Sequence, residues 1–156
     1  MVEVSAETTR HEYTIKEAAA LTGLPASTLR YYESIGVIAP VGRGLSSGHR
    51  VYDEEDLDQI MWVACLAATG MSVSDMRQYV ENGRVGPAAA GEQVELLTHQ
   101  QRRLVSEAEQ LVLRQRYVTL KIDYWNAVAA GDDARAELIS GEARTLADQL
   151  KRTGKP

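Results

Sequence analysis

A chain of 156 residues, 44% hydrophobic and 25% charged, is long enough for one domain with an appended element and is ordinary for a folded protein. Its single cysteine, Cys65, excludes an intrachain disulfide framework and a thiolate-cluster metal site, and fits a reducing cytoplasm. His11, His49 and His99 are far apart with no ligand spacing, so neither a metal nor a cofactor is expected. The longest apolar run, Ile60 to Ala68, is too short to cross a bilayer, and residues 1–12, with Glu3, Glu7, Arg10 and Glu12, read as a loose tail and not as a signal peptide. The net charge of −5 is unevenly spread. Residues 10–52 carry five basic against three acidic groups, and residues 53–82 carry one against seven. A nucleic-acid footprint needs local positive charge, but a surplus of two decides nothing alone.

The first helix is expected over Ile15–Thr22, opened by a Thr14/Glu17 capping box and closed at Gly23. Leu24-Pro25 turns the chain, and a second helix runs from Ala26 or Ser27 to about Ile35, stopped by Gly36. Two short helices joined by a tight Gly-containing turn are the pattern of a helix-turn-helix, or of a plain helical hairpin. Leu29 and Ile35 are placed in their shared core. Extended runs at Ile38–Val41 and His49–Tyr52 flank a Gly/Ser-rich tip and predict a small β-hairpin, a wing bearing Arg43 and Arg50. Pro40 suits an edge strand.

Asp53 caps a third helix with apolar stripe Leu57, Ile60/Met61, Ala64/Cys65 and Ala68. Ser72 and Asp75 cap a fourth, to about Glu81. Asn82-Gly83 and Gly86-Pro87 then predict a joint over residues 83–90. Between residues 91 and 125 no proline or internal glycine occurs. Leu97, Leu104, Leu111, Val118 and Trp125 recur every seventh residue, with Val94, Gln101, Ala108, Gln115 and Ile122 three before each, an a/d register over five repeats. Such a helix is about 50 Å long. Its seam needs a cover, either a second copy of the chain or the last helix, Asp133–Leu150. That helix has its own stripe, Ile139, Ala143, Leu146 and Leu150. A second stripe on the long helix, Leu113, Tyr117, Leu120 and Tyr124, offers it a seat that leaves the seam free.

The residues Tyr13 to Ala19, the run Thr28-Leu29-Arg30-Tyr31-Tyr32-Glu33, then Gly36-Val37-Ile38, Gly48-His49-Arg50-Val51-Tyr52 and Glu55-Asp56-Leu57 together resemble the MerR family of bacterial regulators. The resemblance covers roughly residues 13–81; the long helix matches in type. It implies a mainly α protein: a winged helix-turn-helix domain (13–82), a linker (83–90), a coiled-coil dimerisation helix (91–125), and a C-terminal helix and tail (126–156). No nucleophile–base pair, phosphate loop or metal-ligand spacing points to an enzyme. Family members bind palindromic promoter DNA as homodimers and distort its spacer, with RNA polymerase an indirect partner. DNA contacts are expected from Thr14, from Ala26, Ser27 and Thr28 at the start of the recognition helix, from Arg30, Tyr31 and Tyr32, and from Arg43, His49 and Arg50 of the wing. One of Tyr31 and Tyr32 is equally readable as core, and Glu33 as an internal partner for a nearby base. His49 stands where Tyr or Asn is usual, and the wing loop is a residue longer than in many members. The dimer seam is expected at Val94, Leu97, Leu104, Ala108, Leu111, Val118, Ile122 and Trp125.

Cys65 sits where the thiol- and aldehyde-responsive branch carries its lone cysteine, which makes it a candidate effector sensor. The alternative is a buried, inert cysteine on an apolar stripe, because the basic neighbours that activate a thiol are absent. Trp62, Tyr79, Tyr117, Tyr124 and Trp125 are candidates for lining a small-molecule pocket, or core. A rival of another class is a coiled-coil interaction module whose winged domain binds protein and not DNA.

Overall fold

In the computed structural model, residues 11–153 are described; the tail reading for residues 1–10 lies outside them. The chain divides into two compact units at Leu97/Thr98, and each is taken by itself. The head contains β1 (Tyr13–Thr14), α1 (Ile15–Thr22), α2 (Ala26–Ser34), β2 (Gly42–Arg43), β3 (Arg50–Tyr52), α3 (Glu54–Ala68) and α4 (Val73–Val85). A 3₁₀ turn (Gly86–Ala89) leads into α5 (Ala90–Ala129), and α6 (Asp133–Thr153) ends the chain. No described helix is long and apolar enough to cross a membrane.

The first helix pair forms as its caps dictate. Thr14 accepts the Glu17 amide at 3.2 Å, and Gly23 closes α1 at φ 75° with its N–H on the Ala19 carbonyl. A left-handed residue there costs glycine little. Ala18 and Leu29 are fully buried where α1 meets α2. They join Tyr32, Val37, Ile38, Tyr52, Ile60, Val63, Met71, Met76 and Val80 in the head core.

The wing departs from the expected hairpin. Its strands are Gly42–Arg43 and Arg50–Tyr52, paired antiparallel with Gly42 opposite Val51. Ile38–Val41 is not a strand; Val37 and Ile38 are core residues in a turn, held by their amides on the Tyr32 carbonyl. Sequence reasoning missed β1, which pairs with the other edge of β3, Tyr13 opposite Tyr52, to complete a three-stranded sheet ordered β1-β3-β2.

Asp53 and Asp56 form a reciprocal capping box at α3, with bonds of 3.0 and 2.8 Å. Burial of the Asp56 carboxyl, reinforced by the Asp53 charge, raises its pKa against the lowering hydrogen bond from the Asp53 amide. The apolar face of α3 is also corrected. It runs through Leu57, Ile60, Val63 and Leu66/Ala67, so Met61, Cys65 and Ala68 are exposed. Residues 83–90 are no open linker. Helix α4 continues to Val85, and Gly86 turns the chain directly into the 3₁₀ turn.

In the second unit, α6 packs on the second stripe of α5. Leu120, Ala127, Ala136, Ile139, Ala143 and Leu146 are buried there, flanked by Leu113, Tyr117, Tyr124 and Leu150. Val94, Leu97, Leu104, Leu111, Val118, Ile122 and Trp125 are all exposed, as is Ala108.

Truncating Leu29, fully buried between α1 and α2, removes side-chain contact that the helix pair cannot replace. Leu29→Ala is expected to lower the unfolding free energy by about 3 kcal/mol in urea titrations followed by circular dichroism.

Candidate nucleic-acid interface

The sheet places the wing beside α1 and α2, and a concavity of about 380 Å³ opens on that side of the head. Lys16, Arg30, Arg43 and Arg50 line it together with His49 and the hydroxyls of Thr14 and Ser47. No carboxylate is among its lining residues. Five of the residues expected to contact DNA (Thr14, Arg30, Arg43, His49 and Arg50) therefore come from four separate elements and the wing loop to one place. Guanidinium forks and hydroxyls offer donors for phosphate oxygens.

Each is held there for a local reason. Arg43 stands opposite Arg50 across the β2–β3 ladder and donates from Nη1 to the Gly48 carbonyl at 3.3 Å. His49 has its backbone pinned on both sides: its carbonyl accepts the Gly44 amide at 2.9 Å, and its amide donates to Ser47 Oγ at 3.2 Å. The tip closes at Gly48, whose φ of 67° suits glycine.

Arg50 is fixed most firmly. Its Nε donates to Glu33 Oε1 at 2.8 Å, while Glu33 Oε2 accepts the Val41 amide at 2.8 Å. Glu33 thus has the internal role read from the sequence, and its base is the wing arginine. The bond takes one donor of the Arg50 fork, leaving the Nη donors on a side chain that lines the concavity. Burial pushes the Glu33 carboxyl up. The Val41 and Arg50 hydrogen bonds and the charges of Arg50 and Arg43 outweigh it, and the pKa lies below the usual glutamate value.

At the start of α2, Ser27 is exposed and Ala26 and Thr28 are half-buried. Pro25 precedes them without a side-chain cap. Tyr31 is exposed, but Tyr32 is corrected: it is 8% exposed and packs in the head core. Sequence reasoning also missed Lys16 and Ser47. The signal for Lys16 was its place in the first turn of α1, two residues after the capping Thr14.

The other candidates do not gather into a site. Trp62 and Tyr79 meet at 5.4 Å in the head with their ring planes tilted by 59°; Tyr124 and Trp125 meet edge-on at 5.4 Å in the second unit, where Tyr117 and Tyr124 flank the helix–helix core. Cys65 is exposed, which overturns its reading as buried. Its neighbours three and four residues away are Met61, Trp62 and Ala68 of α3 and Thr69 at its C-terminal cap, none of them basic.

Residues 13–83 match the family model of the MerR HTH family regulatory proteins. A HTH-type transcriptional regulator of Haemophilus influenzae is 32% identical over 108 residues, covering 69% of this chain and 77% of that one. The chain belongs to the MerR family. Members are transcriptional regulators and not enzymes. The regulator AdhR of Bacillus subtilis is 36% identical over 91 residues, 58% of this chain and 64% of its own length. The chain spans about half to two thirds of the length of the Bacillus subtilis relatives it matches. Among solved structures, HiNmlR, a MerR family regulator lacking the sensor domain and bound to promoter DNA, superposes with a TM-score of 0.63 at 29% identity. That match covers 78% of this chain and 96% of HiNmlR.

The Glu33 clamp has a measurable pH signature. A carboxylate with a depressed folded pKa contributes stability that is present above its unfolded value, roughly 4.3, and is lost as pH falls through the folded value. Glu33→Gln is expected to cost about 1 kcal/mol at pH 7 and progressively less below pH 4, read from urea unfolding across pH.

Proposed function

We propose that this chain is a promoter-binding transcription regulator acting in the cytoplasm as a homodimer. Each head presents the start of α2 to a major groove and the wing concavity to adjoining phosphates. One observation carries this reading: four cations from α1, α2, β2 and β3 converge on a concavity without a carboxylate, and Arg30 brings that concavity within a turn of Ser27. HiNmlR, resolved on promoter DNA, supports it by likeness. Ser27 and Thr28 are short, so base readout is sparse and DNA deformability contributes to specificity. Two heads joined through a common helix pair distort the spacer between half-sites, at a cost of several kcal/mol offset by phosphate contacts. RNA polymerase meets the result and is an indirect partner.

The homodimer is supported by the arrangement of α5. Helix α6 occupies one apolar stripe, while Leu104, Leu111, Val118, Ile122 and Trp125 on the heptad face are 38–65% exposed. Apolar surface repeated along a helix in this register is the seam of a coiled coil. The effector reading has Cys65 as its candidate, and it gains no support from a helix face without a base.

Fluorescence anisotropy on a duplex from the promoter region of its own gene tests the DNA reading. The wild type should bind with log Kd depending steeply on log salt. Arg30→Ala should weaken binding to specific and random duplexes alike and reduce the salt slope by about 1 per head. A slope near zero would favour the rival, a winged module that binds protein. The seam has a separate readout: sedimentation equilibrium should give a dimer for the wild type and a monomer for Leu104→Asp/Leu111→Asp, with α6 still folded. A monomeric wild type would sink the homodimer.

A further inference from the structure

The tip of the wing carries a side chain that the fold does not use. Between β2 and β3 the chain turns through Gly44-Leu45-Ser46-Ser47-Gly48. Leu45 is fully exposed, more so than any other large apolar side chain among the described residues. A single exposed leucine is ordinary on a protein surface, so exposure alone decides nothing. Its setting does. The residues on either side of it, Arg43 before and Ser47, His49 and Arg50 after, all line the cationic concavity. An apolar group therefore stands at the end of a lobe whose base attracts phosphate.

The turn is built and not slack. The Gly44 amide donates to the His49 carbonyl at 2.9 Å, and the Gly48 amide to the Gly44 carbonyl at 2.9 Å. Ser47 Oγ accepts the His49 amide at 3.2 Å, and Arg43 Nη1 donates to the Gly48 carbonyl at 3.3 Å. A Cβ on Gly44 would stand 2.7 Å from Ser47 Oγ, so the turn closes this tightly only around glycine. Burying Leu45 on a partner then costs little in backbone ordering.

Shape and charge select the partner. Glycines at both shoulders and two serines beside Leu45 leave it the one side chain of the turn larger than a hydroxymethyl. A lobe so narrow, with an apolar end and arginines at its base, matches the minor groove of duplex DNA. That groove is about 6 Å wide, is walled by phosphates, and has a floor of stacked base steps that apolar wedges enter.

We propose that Leu45 is a minor-groove wedge: the wing lays its cations on the phosphates beside the groove and inserts the leucine against a base step, which it partly unstacks. The proposal deepens the promoter-binding reading above and rests on it. It gives the wing a share in specificity, because flexible pyrimidine–purine steps such as TA and CA admit a wedge at least cost.

Fluorescence anisotropy and 2-aminopurine fluorescence on the full chain test it, with 2-aminopurine substituted in turn at each adenine of the duplex from the promoter region of its own gene. The wild type should raise the fluorescence at discrete positions, where a base has lost a stacking neighbour. Leu45→Ser should abolish that rise and weaken binding about tenfold, as for a leucine partly buried in a groove. Its salt slope should match the wild type, because leucine displaces no counterion, whereas Arg43→Ala should lower the slope by about 1 per head. Leu45→Met keeps an apolar wedge and should retain both the rise and the affinity. Both Leu45 variants should keep the wild-type thermal midpoint, since the side chain is exposed in the free head. Undiminished affinity or a persisting rise in Leu45→Ser, a salt slope lowered by that substitution, or a wild type that raises no fluorescence at any position would each overturn the proposal. A wild type that binds no duplex would instead bring down the promoter-binding reading beneath it.

Discussion

The carboxylate of Glu33 is the point at which the second helix and the wing become one object. One oxygen holds the chain entering β2 through the Val41 amide; the other holds β3 through Arg50. Without that clamp a two-residue strand paired to a three-residue strand is too little ladder to hold a wing still. The clamp also resolves a conflict of charge. Four cations on one small surface repel each other, and the Glu33 carboxylate answers from behind, where it steadies Arg50 without entering the concavity. Positive charge is then concentrated on one side of the head, in a concavity lined by no carboxylate.

Much of this was legible in the sequence because the relevant signals are local. Thr14, Glu17 and Gly23 mark both ends of α1 without help from the rest of the chain, and the heptad register of α5 and the separate stripe that seats α6 are properties of spacing alone. The grouping of Thr14, Arg30, Arg43, His49 and Arg50 was legible for another reason: the motifs around them resemble a family in which these positions share a face.

What was not legible depends on partners distant in sequence. Tyr13–Thr14 becomes a strand only because β3 offers an open edge, and two residues carry no periodicity to announce it. Val37-Ile38 has the composition of a strand but is drawn into the core as a turn, which shifts the strand to Gly42–Arg43. Adjacent Tyr31 and Tyr32 point different ways on a helix, and pattern cannot choose which is core. On α3 almost every residue from Ile60 to Ala68 is apolar, so the stripe could be drawn along several faces, and the one through Cys65 was the wrong one. Asn82-Gly83 reads as a break, yet α4 runs through it because Gln78 and Gln93 satisfy the asparagine amide that would otherwise favour a turn.

The connection between α5 and α6 is short and tightly tied. Gly131 takes φ 70°, the Asp132 amide returns to the Ala127 carbonyl at 3.0 Å, and the Asp132 carboxylate caps α6 through the Arg135 amide. The bonds of this turn hold the last helix back against its own α5. A swapped arrangement would have to straighten the turn, abandon the cap and strip the stripe from Leu113 to Tyr124 before regaining anything. The second stripe of α5 is therefore sealed from within the same chain, by a helix that the turn delivers directly onto it.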